Sequence, residues 1–283
     1  IDWVKTLKGE GELVGKLVEK GKSKFVGHEI TGKMLGVIGL GAIGVAVANA
    51  AYGLNMEVMG TDPYLSTMNA LALSPHINIV PERDDIYKKA DFITLHLPLN
   101  GDTRGMINAK SIAAMKDGVV IINNSRGELV NTADMIAALE SGKVGRYITD
   151  FPTAELIGVK NCICVPHLGA STPEAEDNCA VMAAHELVDY IENGNKTNSV
   201  NYPSVYLARD EEKGRVCILH RNVKNIITKF TSAISGQGIN IAHMASSSRG
   251  EYACSILEID GAVAEKTIAE IRAVEGVLRV RAV

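Results

Sequence analysis

From Met34 onward, apolar runs of strand length alternate with segments of helical periodicity. The runs carry little polar alternation, which is typical of parallel strands that helices bury on both faces. The predicted strands are Met34 to Ile38, Met56 to Gly60, Phe92 to Leu97, Val119 to Asn123, Tyr147 to Asp150 and Cys162 to Val165. The predicted helices between them include Ile43 to Tyr52 and Thr132 to Leu139. This order predicts an α/β fold with a doubly wound, parallel, Rossmann-type sheet.

The start of the helix at Thr132 has its own signal. Asn131 is a plausible N-cap, and Asp134 three residues later makes a weak variant of the capping box.

The second half of the chain follows a different order. After Pro173 a helical pattern runs to about Glu192 and ends near Gly194, a residue that can adopt the left-handed conformation that ends helices. A charged segment, Asn201 to Gly214, reads as a linker. The pattern then predicts a βαββαβ, ferredoxin-like unit, with the elements Val216 to His220, Asn225 to Ser235, Ile241 to Ser246, Tyr252 to Ile259, Val263 to Val274 and Val277 to Arg281.

Composition and charge narrow the class of protein. A chain of 283 residues, 46% hydrophobic and 22% charged, suits two packed domains. The net charge of -4 is spread along the chain without a basic tract, which argues against nucleic acid as a partner. No apolar run reaches the roughly 18 to 20 residues that span a bilayer, so we expect a cytoplasmic protein without membrane contact.

The cysteines do not indicate a metal site. They are odd in number and lack the paired spacing of metal ligands, so we expect buried, reduced thiols. The five positions are Cys162, Cys164, Cys179, Cys217 and Cys254.

A glycine motif of the form GxGxxG lies directly between the first predicted strand and the first predicted helix. In that context Gly39 permits a tight turn, Gly41 lets the backbone approach a pyrophosphate, and Gly44 lets helix and strand pack closely. The amides near Ala42 and Ile43 open the helix and can hold the anion. The motif therefore predicts a dinucleotide site, and the alternative is an accidental glycine turn.

Asp62 selects the cofactor. It lies 18 residues after Gly44, at the end of the next strand, where a carboxylate accepts hydrogen bonds from a ribose. Pro63, Tyr64 and Leu65 follow it, so no arginine or lysine stands beside it to receive a 2′-phosphate. We therefore expect NAD rather than NADP, unless Asp62 only caps a turn.

Polar side chains also follow other predicted strands, at the edge where open parallel sheets bind ligands. Each has a structural alternative: His96 as a hydrogen-bonded core residue, Arg126 as a surface ion pair, Asp150 as a helix cap. The residues at strand ends are Asp62, His96, Pro98, Asn124, Ser125, Arg126, Asp150 and His167.

The residues at these positions resemble the motifs of the D-isomer-specific 2-hydroxyacid dehydrogenases, and within that family those of the branch that oxidises D-3-phosphoglycerate. With the C-terminal unit, the resemblance covers nearly the whole chain. The matching stretches are Val37 to Gly44, His96 to Leu99, Asn124 to Val130 and Pro166 to Thr172.

The resemblance implies three catalytic residues. His167 accepts the hydroxyl proton as hydride leaves the substrate carbon, Glu155 holds that imidazole, and Arg126 binds the substrate carboxylate. Glu155 keeps the family spacing, 29 residues after Arg126 and five after Asp150, but Leu156 replaces the usual proline and the segment to His167 is short. The implied cofactor-lining positions are Gly39, Gly41, Ala42, Ile43, Gly44, Asp62, His96, Pro98, Asn124, Ser125, Arg126, Asp150, which contacts the nicotinamide amide, His167, Leu168, Gly169 and Ala170.

The C-terminal unit resembles an ACT domain, a module that binds amino acids where two copies meet. The resemblance makes His220, Asn222 and Asn240 ligands for L-serine and implies a homodimer or homotetramer. The alternative is that these residues only cap a strand and a turn. Where the family usually has Pro-Gly, this chain has Lys224 and Asn225.

The expected function is thus NAD-dependent oxidation of D-3-phosphoglycerate at the head of serine synthesis, with an amino-acid-regulated tail. The alternatives are a glycerate or hydroxypyruvate reductase, or a non-catalytic NAD-sensing protein of the same fold. The expected segments are a remnant of a substrate lobe and its connecting helix (1–28), an NAD-binding domain (29–178), a return helix and linker (179–213) and an ACT domain (214–283). We expect a further N-terminal substrate lobe upstream, without which residues 1–283 would turn over poorly.

Overall fold

The computed structural model describes residues 2–283. The chain divides into two units, the first ending at Leu168 and the second beginning at Gly169.

The first unit is built on a parallel sheet. Its strand order is β3-β2-β1-β4-β5-β6-β7, and each neighbouring pair runs parallel. The order reverses between β1 and β4, which confirms the predicted Rossmann-type sheet. The strands are β1 (Met34–Ile38), β2 (Glu57–Thr61), β3 (Asn78–Ile79), β4 (Phe92–Leu95), β5 (Val119–Asn123), β6 (Val144–Thr149) and β7 (Cys162–Cys164).

The helices α1 (Asp2–Lys5) and α2 (Val14–Gly21) precede the sheet. The helices between its strands are α3 (Ala42–Gly53), α4 (Thr67–Ala72), α5 (Arg83–Lys89), α6 (Ala109–Ala113) and α7 (Thr132–Ser141). Short 3-10 helices lie at Gly11–Leu13, Lys22–Phe25 and Gly127–Leu129.

The N-terminus of α7 confirms the predicted cap but not the reciprocal half of the box. The Asn131 side chain accepts a hydrogen bond from the Asp134 amide at 3.1 Å. The Asp134 carboxylate instead accepts from the Ala109 amide at 2.8 Å, so it joins α7 to α6 rather than closing the box.

Apolar clusters cover both faces of the sheet. Neighbouring residues of β1 point to opposite sides, so Val37 joins one cluster with Val45 and Ala48 of α3, while Ile38 joins the other with Ile93 and Ile121. Both faces of the sheet are therefore buried from solvent, which explains why these strands lack polar alternation.

The second unit opens with a long helix, α8 (Pro173–Asn193). Thr172 caps it through the Ala175 amide, Pro173 takes the first helical position, and Gly194 ends it with φ 75°. This confirms the predicted end of the helix.

An antiparallel sheet follows α8. Its elements are β8 (Lys213–Arg221), α9 (Ile226–Ser235), β9 (Ile241–Arg249), β10 (Tyr252–Asp260), α10 (Glu265–Arg272) and β11 (Val277–Ala282). The order of elements agrees with the prediction, and the strand order is β11-β8-β10-β9.

The core of this unit is mostly apolar, with Phe230, Ile218 and Leu257 fully buried. It also encloses a buried ion pair, in which Arg215 donates to Glu258 and the two side chains are 0% and 1% exposed.

Two other sequence predictions have structural counterparts. No helix within residues 2–283 is long and apolar enough to cross a membrane. The cysteines are free, but only Cys217 and Cys254 are fully buried. The expectation of burial is wrong for Cys179, which is exposed on α8.

Candidate active site

The carboxyl edge of the parallel sheet collects the residues that the sequence placed at strand ends. Because all seven strands run the same way, their C-terminal ends meet at one edge, in the order of the sheet. Along that edge lie Asp62 after β2, Gly39 after β1, His96 after β4, Asn124 to Arg126 after β5, Asp150 after β6 and His167 after β7.

The glycine turn between β1 and α3 has two crowded positions and one open one. A Cβ on Gly39 would lie 2.3 Å from the His96 carbonyl oxygen, and one on Gly44 only 1.9 Å from the Gly39 carbonyl oxygen. Around Gly41, no described atom lies within 4 Å of such a Cβ. The turn therefore packs tightly on its inner side and is open at Gly41, where a pyrophosphate would approach.

The start of α3 supplies donors to that opening. Ala42 and Ile43 are the first residues of the helix and are exposed. The first amides of a helix have no partner within it and favour an anion. This fits the diphosphate of a dinucleotide.

Asp62 is held by backbone amides. Its Oδ2 accepts from the Leu40 amide and its Oδ1 from the Tyr64 amide, each at 2.8 Å. A carboxylate has about four acceptor positions, so the two hydroxyls of a ribose can still be bound. Together with the open glycine turn, Asp62 fits NAD.

His96 is a half-buried residue beside the turn. Its Nε2 lies 3.0 Å from the Thr94 hydroxyl, and burial lowers the pKa of the imidazole below its ordinary value. His96 is therefore neutral at neutral pH. Beyond it, the Pro98 carbonyl accepts from the Thr103 hydroxyl at 2.7 Å, which fixes the loop after β4.

Arg126 is exposed after β5, and its guanidinium donates to the Ser125 carbonyl at 2.6 Å. Asn124 is also exposed, and the Ser125 hydroxyl donates to the Leu95 carbonyl. These bonds hold the segment against β4 while the Arg126 fork stays within reach of solvent.

Asn123 is a supporting residue that the sequence analysis missed. It is fully buried, and its amide nitrogen donates to the Arg126 carbonyl at 2.9 Å. The sequence did carry a signal for this role, since Asn123 ends an otherwise apolar run. A buried amide side chain needs a hydrogen-bond partner, and such a residue therefore supports a neighbouring segment.

The imidazole of His167 contacts a carboxylate, but not that of Glu155. His167 Nδ1 lies 2.9 Å from Asp150 Oδ2, and the Phe151 ring packs on the imidazole with centroids 4.7 Å apart. Glu155 is exposed, and the nearby Thr153 hydroxyl lowers its pKa.

The strand before His167 carries two close thiols. Cys162 and Cys164 of β7 hold their Sγ atoms 3.8 Å apart, and burial raises the pKa of Cys162 to about 12. Leu168 is exposed at the end of the first unit, and the remaining cofactor candidates Gly169 and Ala170 are the first residues of the second unit.

The candidate effector residues separate into two places in the second unit. His220 and Asn222 line a cavity of about 350 Å³ at the start of α9. Asn240 precedes β9 and is not among the described residues that line this cavity; its carboxamide donates to Asp260 at 3.1 Å.

Comparison with known proteins places this arrangement in a family. Residues 5–169, more than half of the chain, match the D-isomer specific 2-hydroxyacid dehydrogenase, NAD binding domain. The chain is 33% identical to D-3-phosphoglycerate dehydrogenase of Escherichia coli K12, over 89% of this chain and 63% of that protein. It is 33% identical to D-3-phosphoglycerate dehydrogenase 2 of Saccharomyces cerevisiae, over 82% of this chain and 53% of that protein.

A solved structure agrees. A glyoxylate reductase from Paecilomyes thermophila is 31% identical, with a TM-score of 0.55 over 62% of this chain and 54% of that chain. The chain spans between about half and two thirds of the length of the curated relatives named above. The matched residues include all seven strands of the parallel sheet and the side chains at its carboxyl edge. This chain belongs to the D-isomer specific 2-hydroxyacid dehydrogenase family and carries that family's NAD-binding domain.

Proposed function

We propose that the protein oxidises D-3-phosphoglycerate to 3-phosphohydroxypyruvate with NAD, the first step of L-serine biosynthesis, and that an amino acid regulates it through the second unit. One observation carries the proposal. The match to the Escherichia coli D-3-phosphoglycerate dehydrogenase covers 89% of the chain, so it extends well past Leu168 into the second unit. The match to the glyoxylate reductase structure covers 62%.

The side chains after β5 and β7 have the chemistry for this oxidation. The Arg126 guanidinium binds the substrate carboxylate, for which a planar fork of donors is suited. The His167 imidazole accepts the proton of the C2 hydroxyl, because an unprotonated ring nitrogen of histidine can act as a general base. The proton thus goes to the imidazole, and the hydride goes to the cofactor.

NAD, when bound, accepts the hydride from C2. The chain's own part is to hold the cofactor: the open side of Gly41 and the amides at Ala42 and Ile43 receive the diphosphate, and Asp62 receives the adenosine ribose. His96 is neutral by burial and places no charge beside the diphosphate.

Three features of the second unit support the proposal that it binds an amino acid as an ACT domain does. His220 is buried, with Nε2 2.9 Å from the Ser255 hydroxyl, and it lines the cavity with Asn222 and Ser246. Asn225, at the start of α9, has φ 63°, a left-handed conformation that asparagine tolerates better than most residues. This chain therefore accommodates a left-handed residue at the position where the family usually has glycine.

Asn240 can reach the same amino acid only from another copy of the chain. Asn240 and Ser246 lie six residues apart at opposite ends of a strand segment, which corresponds to roughly 20 Å at the rise of a β-strand. A site that uses Asn240 with His220 and Asn222 would therefore form between two copies, and this supports a homodimer or a tetramer of paired dimers.

The glyoxylate reductase match favours one second candidate, a reductase of hydroxypyruvate or glyoxylate. Steady-state kinetics of the protein from its complete coding sequence separate the two. We expect kcat/KM for D-3-phosphoglycerate with NAD to exceed that for glycerate by at least about tenfold. A preference for hydroxypyruvate reduction over phosphohydroxypyruvate reduction contradicts the proposal, and no turnover of any of these substrates favours a non-catalytic NAD sensor.

Calorimetry with L-serine tests the regulatory part, with D-serine as the matched control. We expect L-serine to bind and the His220→Ala variant to lose binding. The absence of binding at millimolar L-serine contradicts the effector site without touching the dehydrogenase proposal.

A further inference from the structure

We infer that Asp150, rather than Glu155, is the positioning residue that fixes the imidazole of His167 for proton transfer. The inference rests on the proposed function, because it concerns the residue that accepts the substrate proton. The contact itself is direct: Asp150 Oδ2 lies 2.9 Å from His167 Nδ1.

The hydrogen-bond ladder of the sheet sets this contact. Thr149 of β6 pairs with Cys164 of β7, and the Val165 amide donates to the Thr149 carbonyl at 3.0 Å. Asp150 is the next residue after Thr149, and His167 lies two residues beyond Val165. Asp150 is thus the first residue after β6 and His167 the third after β7, so the ends of two paired strands bring both side chains to the same edge.

Asp150 is shielded from solvent, whereas His167 is accessible. The Asp150 side chain is 9% exposed and that of His167 is 58% exposed. A contact with a buried carboxylate is less screened than one at the surface, and it holds the ring in a defined orientation. Phe151 packs on the ring and limits its rotation further.

The second oxygen of the carboxylate is available. Asp150 Oδ1 is buried and has no hydrogen-bond partner among residues 2–283. A buried acceptor without a donor is unfavourable, so a further donor at this position is expected when ligands bind. One carboxylate can then orient the proton acceptor through Oδ2 and receive an amide donor of the cofactor through Oδ1.

Glu155 lies elsewhere because of its neighbour. Residues 153–157 form a helical turn, in which the Leu156 and Ile157 amides donate to the Thr153 carbonyl at 3.1 and 3.2 Å. Leu156 is 3% exposed and packs in the core, so Glu155 is left on the outside of the turn. Leu156 thus anchors the turn, and the carboxylate paired with His167 is that of Asp150.

The consequence for the reaction is a defined tautomer. A carboxylate only accepts, so Oδ2 retains the proton of the neutral ring on Nδ1. Nε2 is then the unprotonated atom that accepts the hydroxyl proton of the substrate, and Asp150 stabilises the imidazolium that forms.

Matched variants test this assignment in the protein from its complete coding sequence. Asp150→Asn has nearly the same shape, and we expect it to lower kcat by about 10²- to 10⁴-fold with a smaller change in KM for D-3-phosphoglycerate. Glu140→Gln, at an exposed carboxylate of α7, is the control and should stay within about threefold of wild type. Glu155→Gln should lose less kcat than Asp150→Asn, because His167 forms its ion pair with Asp150. A large loss in Glu155→Gln with a small one in Asp150→Asn overturns the inference.

The imidazole tautomer gives a readout that needs no turnover. In the same protein labelled with ¹⁵N-histidine, at about pH 8.5 where histidine is usually neutral, we expect the proton of His167 on Nδ1. His167→Gln assigns the signal. Asp150→Asn and Asp150→Ala should mix the tautomers, while Glu155→Gln should not.

The two readouts also separate this inference from the proposed function. If the wild type oxidises no 2-hydroxy acid, the proposed function fails and the tautomer alone decides the role of Asp150. An Nδ1-protonated ring that persists in Asp150→Ala, or one lost in Glu155→Gln, overturns the inference whatever the enzyme turns over.

Discussion

Replacing Gly44 by alanine tests how the glycine turn is built. The new Cβ would stand 1.9 Å from the Gly39 carbonyl oxygen, and contacts under 3.0 Å do not occur in real structures. The helix start and the turn must therefore separate by at least about 1.1 Å. The atoms in conflict belong to the backbone, so no side-chain rotation can relieve the clash. Overpacking of this kind typically costs about 1–3 kcal/mol of unfolding free energy.

The same displacement moves the amides that receive the diphosphate. A misplacement of about 1 Å can cost on the order of 10²-fold in function, and a 10²-fold loss of NAD affinity is about 2.8 kcal/mol. Two matched substitutions separate stability from binding. Gly41→Ala meets no described atom within 4 Å, so it should keep its stability while its methyl group obstructs the diphosphate. Gly53→Ala, at the other end of α3, should slightly stabilise the helix and leave NAD affinity unchanged.

Urea denaturation gives the unfolding free energies, and titration of NADH fluorescence gives the affinities. We expect Gly44→Ala to lose both, Gly41→Ala to lose only affinity, and Gly53→Ala to lose neither. Wild-type stability in Gly44→Ala would refute the packing of the turn, and wild-type affinity in Gly41→Ala would refute the position of the diphosphate.

Other expected outcomes follow from single contacts. Asn131→Ala should cost about 1 kcal/mol of unfolding free energy, because it removes the α7 cap. Glu258→Gln should cost about 3–5 kcal/mol, since it leaves the buried Arg215 charge uncompensated; Glu251→Gln, in an exposed pair, is the control in denaturation experiments. Burial lowers the pKa of His220 in the folded chain, so the unfolded chain binds a proton at a higher pH than the folded chain does. The free energy of unfolding should therefore fall as pH decreases below about 6.5. His220→Gln should flatten that slope, and an unchanged slope contradicts the assignment.

The sequence was most informative for strands that appear as an apolar run bounded by turn residues. Met34–Ile38 and Val119–Asn123 are strands with the predicted bounds, because apolar runs between turn signals leave little choice. By contrast, β3 has only two residues, Asn78 and Ile79, too few to show any periodicity. The elements of the second unit were also predicted in the right order, with strands one to three residues longer at most ends.

The candidate site was predictable as a set of strand ends, but not as pairs. Which carboxylate meets His167 depends on the β6–β7 register and on where Leu156 is buried, and both are tertiary facts. The role of Asn123 was hidden for the same reason, since its partner carbonyl belongs to Arg126 in the following turn. Spacing along the chain carries no information on such contacts.

The loop from Pro152 to Asn161 joins β6 to β7, and its length can change without moving the residues at the two strand ends. Asp150 and His167 follow the paired ends of β6 and β7, whereas Gly158 lies in the loop between these strands. Gly158 has φ 86°, and no described atom lies within 4 Å of a Cβ placed there. Evolution, or an engineer, can therefore lengthen the chain at this point and graft new recognition onto the enzyme while the proton acceptor keeps its alignment.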